Sequence, residues 1–282
     1  MKKLTSISLA IIFLAGLFLG CEKSDNPIVP TLPPEGSMSI DFNLFSADKL
    51  AIIESGVNGV ASADKSNAAL AATIAGTWNL LLGANLAIPV ASFNRAVDHT
   101  PVYLNAQRWE WKYDFNVAGA TYLARLTGKI IAPQVKWEMY IARVGTGAFP
   151  ELLWYEGTSA LDGKSGQWIL NHSLLFPEPL LQIDWQVEGT EIGHINYTYI
   201  RERKDDRSPD VFKNSYIEYG LTDNTLDAFL TVHQNTGEDN VFQDVWMEFS
   251  TTTYKGRIKS KSHFQDELWH CWNEVADNVS CN

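Results

Sequence analysis

The residues most able to hold a metal are six histidines, His99, His172, His194, His233, His263 and His270. They are scattered, with no His-x-His, no His-Glu-x-x-His and no cysteine pair at zinc spacing, so a metal site is not expected. No cofactor is expected either, because no glycine-rich phosphate loop follows a strand and no Gly-x-Ser-x-Gly elbow is present. Glycoside hydrolysis requires only two carboxyl groups that converge to within roughly 5 to 10 Å. The conspicuous acids are Asp184 beside Trp185 and Glu110 between Trp109 and Trp111. Both lie in alternating segments whose polar members face water, so no catalytic residue is assigned. What remains is three cysteines, Cys21, Cys271 and Cys281, and a store of aromatic rings that includes 10 tryptophans.

The rings sit on strands. From Arg108 to Val117 the chain alternates strictly, with Trp109, Trp111, Tyr113, Phe115 and Val117 on one face and Arg108, Glu110, Lys112, Asp114 and Asn116 on the other. Similar segments follow: 121 to 131, 134 to 144, 152 to 160, 167 to 175, 180 to 188, 192 to 202, 213 to 220, 226 to 235, 241 to 250 and 253 to 264. Turn residues such as Ala118-Gly119, Ala132-Pro133 and Glu188-Gly189-Thr190 separate them. Links this short force antiparallel neighbours, and so many strands must curl into an open or closed barrel to manage their edges. The fold class expected is mainly β, a long antiparallel meander over 107–264.

Ahead of the meander, 46–97 reads as helical. From Asn67 to Asn94 there is no charged residue, and a helix apolar all round is buried in protein or spans a membrane. Thr73, Thr77, Asn79, Asn85 and Pro89 interrupt the run and favour burial against the sheet. A short C-terminal helix is expected over 266–277, where Leu268, Trp269, Trp272, Val275 and Ala276 fall at helical spacing. Continued straight to Cys281, it would hold that residue about 15 Å from Cys271, whereas a disulfide needs Cα atoms within about 7 Å. The helix should therefore stop near Asp277-Asn278 and the tail fold back.

The N-terminus sets the compartment. Lys2 and Lys3 precede an apolar run from Leu9 to Phe18, which ends in Phe18-Leu19-Gly20-Cys21. This resembles the lipobox of bacterial lipoproteins, although Leu19 stands where a small residue is commoner. The resemblance implies a signal peptide over 1–20, cleavage before Cys21, acylation of that cysteine and a membrane partner through the anchor, at the outer membrane on its periplasmic face or the cell surface. Glu22-Lys23-Ser24-Asp25 is similar to the acidic tags of surface lipoproteins. An oxidising envelope makes Cys271 and Cys281 a disulfide pair. Removing the first 20 of 282 residues, Lys2 and Lys3 among them, leaves 262 and takes the formal charge from −11 to −13. That balance disfavours nucleic acid and anionic membrane surfaces as partners, and no nucleic-acid partner is expected.

Residues 21–38, with Pro27, Pro30, Pro33 and Pro34, read as an extended tether, and 39–282 as a single β-rich domain. Anchor, tether, apolar helix and meander together resemble lipocalins and the envelope lipoprotein carriers, whose barrels shelter acyl chains beneath a helical lid. The resemblance implies a non-enzymatic protein that binds a hydrophobic or amphipathic ligand between sheet and helix, lined by Trp78, Trp109, Trp111, Tyr113, Trp137 and Trp185. The rival readings are a surface protein that stacks a glycan on exposed aromatics, and a scaffold without a small-molecule ligand.

Overall fold

The computed structural model describes residues 27–39, 64–172 and 177–281; the expected signal peptide over 1–20, Cys21 and residues 46–63, the first part of the expected helical segment, lie outside them. The chain builds one antiparallel sheet of 14 strands in sequence order. They are β1 (Val102–Asn105), β2 (Arg108–Val117), β3 (Ala120–Ile131), β4 (Gln134–Arg143), β5 (Phe149–Ala160), β6 (Ser165–Asn171), β7 (Pro179–Glu188), β8 (Glu191–Tyr199), β9 (Tyr216–Leu221), β10 (Ala228–Asn235), β11 (Phe242–Phe249), β12 (Gly256–Lys259), β13 (His270–Trp272) and β14 (Asn278–Val279). The sheet is open: β1 and β14 are its two edges and do not pair. The eleven segments anticipated from alternation correspond to β2 through β12, and the meander extends beyond 107–264 by β1, β13 and β14.

Alternation is realised along β2, where Trp109, Trp111, Tyr113 and Phe115 are buried while Arg108, Lys112, Asp114 and Asn116 are exposed. The inner face carries a pairing rule of its own. Trp109 is in register with Gly128, Gly128 with Trp137, Trp137 with Gly157 and Gly157 with Trp168, so indole and glycine alternate across five strands. Gly166 opposite Trp185 and Gly256 opposite Trp272 repeat it. Strands stand about 4.8 Å apart, too close for indoles side by side. Each glycine leaves the space over which its neighbour's ring lies, and a methyl added at Gly128 would sit 2.5 Å from the ring of Trp137. Among the buried indole N–H groups, Trp137 donates to Ser159 Oγ at 2.9 Å and Trp272 to the Tyr254 carbonyl at 2.6 Å, whereas that of Trp185 has no partner among the described residues.

Among the described residues, two elements cover this face. Helix α1 (Ser66–Val97) buries Ala68, Ala71, Ala72, Ala75, Leu82, Leu86, Phe93 and Ala96, and bends by 62° where Ser66–Gly83 meets Asn85–Val97. Its first half packs on β12, β13 and β14 and its last turns pack on β2, so it crosses from one edge region of the sheet to the other. At the start, Asp64 Oδ1 accepts the Ser66 N–H, the Asn67 side chain donates to the Cys271 carbonyl, and the Asn67 N–H donates to Asn278 Oδ1. At the other end Ser92, fully buried, donates to the Pro89 carbonyl at 2.7 Å and accepts the Tyr155 hydroxyl at 3.3 Å, while its own carbonyl accepts the Tyr113 hydroxyl at 2.6 Å. No single helix among the described residues is long and apolar enough to cross a membrane.

The second cover is the proline-rich segment. It is extended, as its composition predicts, but it is not a free tether over the described part. Pro30 and Pro33 are buried, Thr31 packs against the β5–β6 turn at Gly163, and a 3-10 turn (Glu35–Ser37) leads to Ser37 and Met38, both fully buried. Trp168 donates to Ser37 Oγ at 3.1 Å and Tyr197 to the Met38 carbonyl at 3.3 Å. The compact body thus starts before Ser39, because indole and phenol groups on β6 and β8 need polar partners that this strap supplies.

The C-terminus departs from expectation too. Its short helix, α2, spans only Lys261–Phe264, and the stretch 266–277 is not helical. Gln265 takes a left-handed φ of 61°, Asp266 Oδ1 accepts the Leu268 N–H, and Asn273 Oδ1 accepts the N–H groups of Val275 and Asp277. These side chains offer the backbone an alternative to the helical ladder. The tail instead forms the β13–β14 hairpin, and Cys271 and Cys281 are joined by a disulfide with a Cα–Cα distance of 5.3 Å.

Candidate functional site

The groups with the greatest chemical potential are engaged on the outer face. Asp184 accepts the side-chain amides of Gln167 and Gln182, both at 2.7 Å, and Glu110 pairs with Lys112 at 2.7 Å and Arg125 at 3.8 Å. His194 pairs with Glu218, His233 with Asp244 and His270 with Asp266, on three separate parts of the sheet. Among the described residues no three His, Cys, Asp or Glu side chains converge as a metal site would require.

The aromatic residues proposed to line a cavity fall into two groups. Trp109, Trp111, Tyr113, Trp137 and Trp185 belong to one packed core, with Trp111 and Trp137 ring centroids 5.8 Å apart. Trp78, on α1, is half-buried and packs against that core from the outside. Burial pushes the Tyr113 and Tyr155 hydroxyls well above the ordinary tyrosine range, because the phenolate would have to form in a dry site.

Space between helix and sheet exists where α1 bends. There a cavity of about 370 Å³ is lined by Asn79, Leu82, Gly83, Leu86, Val90 and Ala91 from the helix, Tyr197 from β8 and Ser39 from the strap. The bend itself has a physical cause. Pro89 lacks an N–H, so the Asn85 carbonyl has no helical donor from that position, and Gly83 adds a flexible residue just before it. Opening the helix there parts it from β8. The walls are aliphatic, with the Asn79 amide, the Ser39 hydroxyl and the Tyr197 ring as polar or aromatic points. Alternation alone left the direction of Tyr197 open, and Leu82, Leu86 and Val90 read as undistinguished apolar positions; Pro89 was the one sequence signal for the bend.

A larger groove, about 700 Å³, lies at the opposite kind of place, the end of the sheet. It is lined by Pro27 to Thr31, Tyr103, Gln107, Trp109, Ile130 and Leu161. Of the anticipated residues, Trp109 borders this groove, where Tyr103 meets its ring edge-on at 5.2 Å, and Trp185 borders a more polar space of about 410 Å³ with Gln167, Asp184 and His194.

No protein-family model, no characterised protein and no solved structure matches this chain. Its function is therefore argued from its own geometry.

Proposed function

We propose that this chain is a non-enzymatic envelope lipoprotein, anchored through Cys21, that holds a hydrophobic or amphipathic ligand in the cavity where α1 bends away from β8. The observation that carries the reading is the aliphatic cavity of about 370 Å³ between helix and sheet. It lies in the roughly 300 to 1,000 Å³ range of small-ligand sites and has their composition, apolar walls with a few polar points. An acyl or isoprenoid chain would lie along Leu82, Leu86 and Val90, with its polar end near Asn79 or Ser39. Six of the 10 tryptophans are buried in the core and closed to a glycan, and of the four half-buried ones Trp246 and Trp269 lie under Lys259 and Arg257, which weighs against the carbohydrate reading.

Native mass spectrometry of the exported, processed protein, followed by organic extraction, tests this. A reproducible adduct of lipid mass is expected, and Val90→Trp, which fills the cavity from one wall, should lose it while the disulfide stays formed. A clean apo mass for the wild type, or an adduct indifferent to Val90→Trp, would overturn it.

A further inference from the structure

We infer that the end of the sheet where the chain enters is a membrane-docking surface, which rests on the reading of Cys21 as an acylated anchor. The apolar side chains at this end are exposed to an unusual degree. Ile28 is 80% accessible, Val102 63%, Ile131 52%, Val29 50%, and Tyr103 and Leu161 44% each. They come from four separated stretches, the strap, β1, the end of β3 and the β5–β6 turn: Ile28, Val29, Tyr103 and Leu161 line the 700 Å³ groove, while Val102, in register with Glu110, and Ile131, next to the groove-lining Ile130, lie at the same end on the outer face. Scattered exposed apolar residues are ordinary, but a contiguous patch marks an interaction site.

Two observations say what covers it. The first is reach. Cys21 is six residues before Pro27, and a fully extended chain covers at most about 3.5 Å per residue, so an acyl group on Cys21 cannot lie more than about 20 Å from the groove. The anchored protein must keep this end near the bilayer. The second is charge. Arg108, Lys129 and Lys136 occupy one row in register across β2, β3 and β4, immediately inside the apolar turns. Arg108 and Lys129 have no ion-pair partner among the described residues, while Lys136 meets Glu138 and Glu156. Asp162, in the same end's β5–β6 turn, accepts the Lys164 N–H instead. In a chain this acidic, a cationic row beside an apolar rim suits phospholipid: the rim enters the acyl boundary, Tyr103 sits at the headgroups and the row meets phosphates.

The test uses the full chain, made with its own signal and reconstituted through its anchor into phosphatidylethanolamine–phosphatidylglycerol vesicles. A diazirine reagent that partitions into the acyl region labels whatever enters it, and peptide mass spectrometry locates the label. Peptides with Ile28–Val29, Val102–Tyr103 and Ile131 should be labelled, while the peptide with Leu80–Leu81, accessible at 74% and 50% on the helix bend, should not. The double variant Ile28→Asp, Val29→Asp should cut the label at Tyr103 about tenfold, since two buried aliphatic side chains become charged. Arg108→Gln with Lys129→Gln should lower it in the same direction. Label confined to residues before Pro27 on a vesicle-bound chain would overturn docking and leave the anchor intact. Label at Leu80–Leu81 in place of Tyr103 would also overturn it. A chain that does not float with the vesicles would overturn the anchor, and docking with it.

Discussion

Replacing Gly157 by alanine adds one methyl group to the inner face of β5, and the surroundings fix its cost. The new Cβ would lie 2.3 Å from the Gln167 carbonyl oxygen and 2.4 Å from a ring carbon of Trp168. The first clash is with backbone, so a flexible tip cannot move aside to relieve it. Either β5 and β6 part by about 1 Å at a paired rung, or Trp168 swings away and loses its bond to Ser37 and its edge contacts with Phe93 and Tyr155, at 5.2 and 5.5 Å. Overpacking costs about 1–3 kcal/mol, and an orphaned buried indole N–H about 1–3 kcal/mol more, so we expect a loss of about 2–6 kcal/mol. Gly76→Ala is the control, because nothing lies within 4 Å of that position on the exposed side of α1; it should stabilise by about 0.5–1 kcal/mol through helix propensity. Urea unfolding followed by tryptophan fluorescence reads both. Gly157→Ala combined with Trp168→Leu should recover part of the loss, since the smaller side chain removes one of the two clashes. If Gly157→Ala unfolds within about 1 kcal/mol of the wild type, the interlocking of indole and glycine is not what fixes the strand spacing, and that account of the core fails.

Two further outcomes follow from the same packing. Tyr113 and Tyr155 keep their protons when folded at pH values where the unfolded chain, with tyrosines near about pH 10, releases them. Their contribution is complete below about pH 10 and is lost as pH rises above it, by about 1.4 kcal/mol per pH unit for each tyrosine. Urea midpoints measured between pH 9 and 11.5 should therefore fall, Tyr155→Phe should flatten the slope, and a pH-independent midpoint would contradict the burial. Reducing Cys271–Cys281 opens a loop of sequence separation 10 and should cost roughly 2–3 kcal/mol. Because Asn67 bonds to Cys271 and Asn278, hydrogen exchange should also accelerate over Ser66 to Leu70; unchanged exchange in the reduced protein would show that the hairpin does not hold the start of the helix.

The sheet was largely legible because β2 through β12 alternate and are punctuated by turn residues, as at Ala118-Gly119, both with positive φ. The strands missed lack that signature. β1 exposes all four of its residues and β13 has only three. The C-terminal misreading arose because apolar spacing at Leu268, Trp269, Trp272 and Val275 cannot register Asp266 and Asn273 capturing backbone N–H groups nearby. Alternation also told which face Trp111 and Trp137 occupy, yet not what lies over them. A face lined with rings reads the same whether a ligand or a helix covers it. The glycines opposite the tryptophans held the missing information, since a glycine in a strand centre signals close approach, but their pairing depends on a register that single segments do not encode.

Among the described residues, one helix does not cover the inner face of this open sheet by itself, and the strap from Pro27 to Ser39 covers a further part of it. Its first residues line the groove at the chain's entry, its middle is fixed by Trp168 and Tyr197, and its last described residue borders the cavity at the helix bend. Tyr197 belongs to both arrangements, since its ring walls the cavity and its hydroxyl donates to the Met38 carbonyl. A ligand that displaced this ring would cost the strap one of its buried hydrogen bonds, and a strap drawn toward the membrane would pull Ser39 from the cavity wall. Under the docking inferred above, membrane contact and ligand occupancy act on one segment of 13 residues, whose central pins transmit the effect of either.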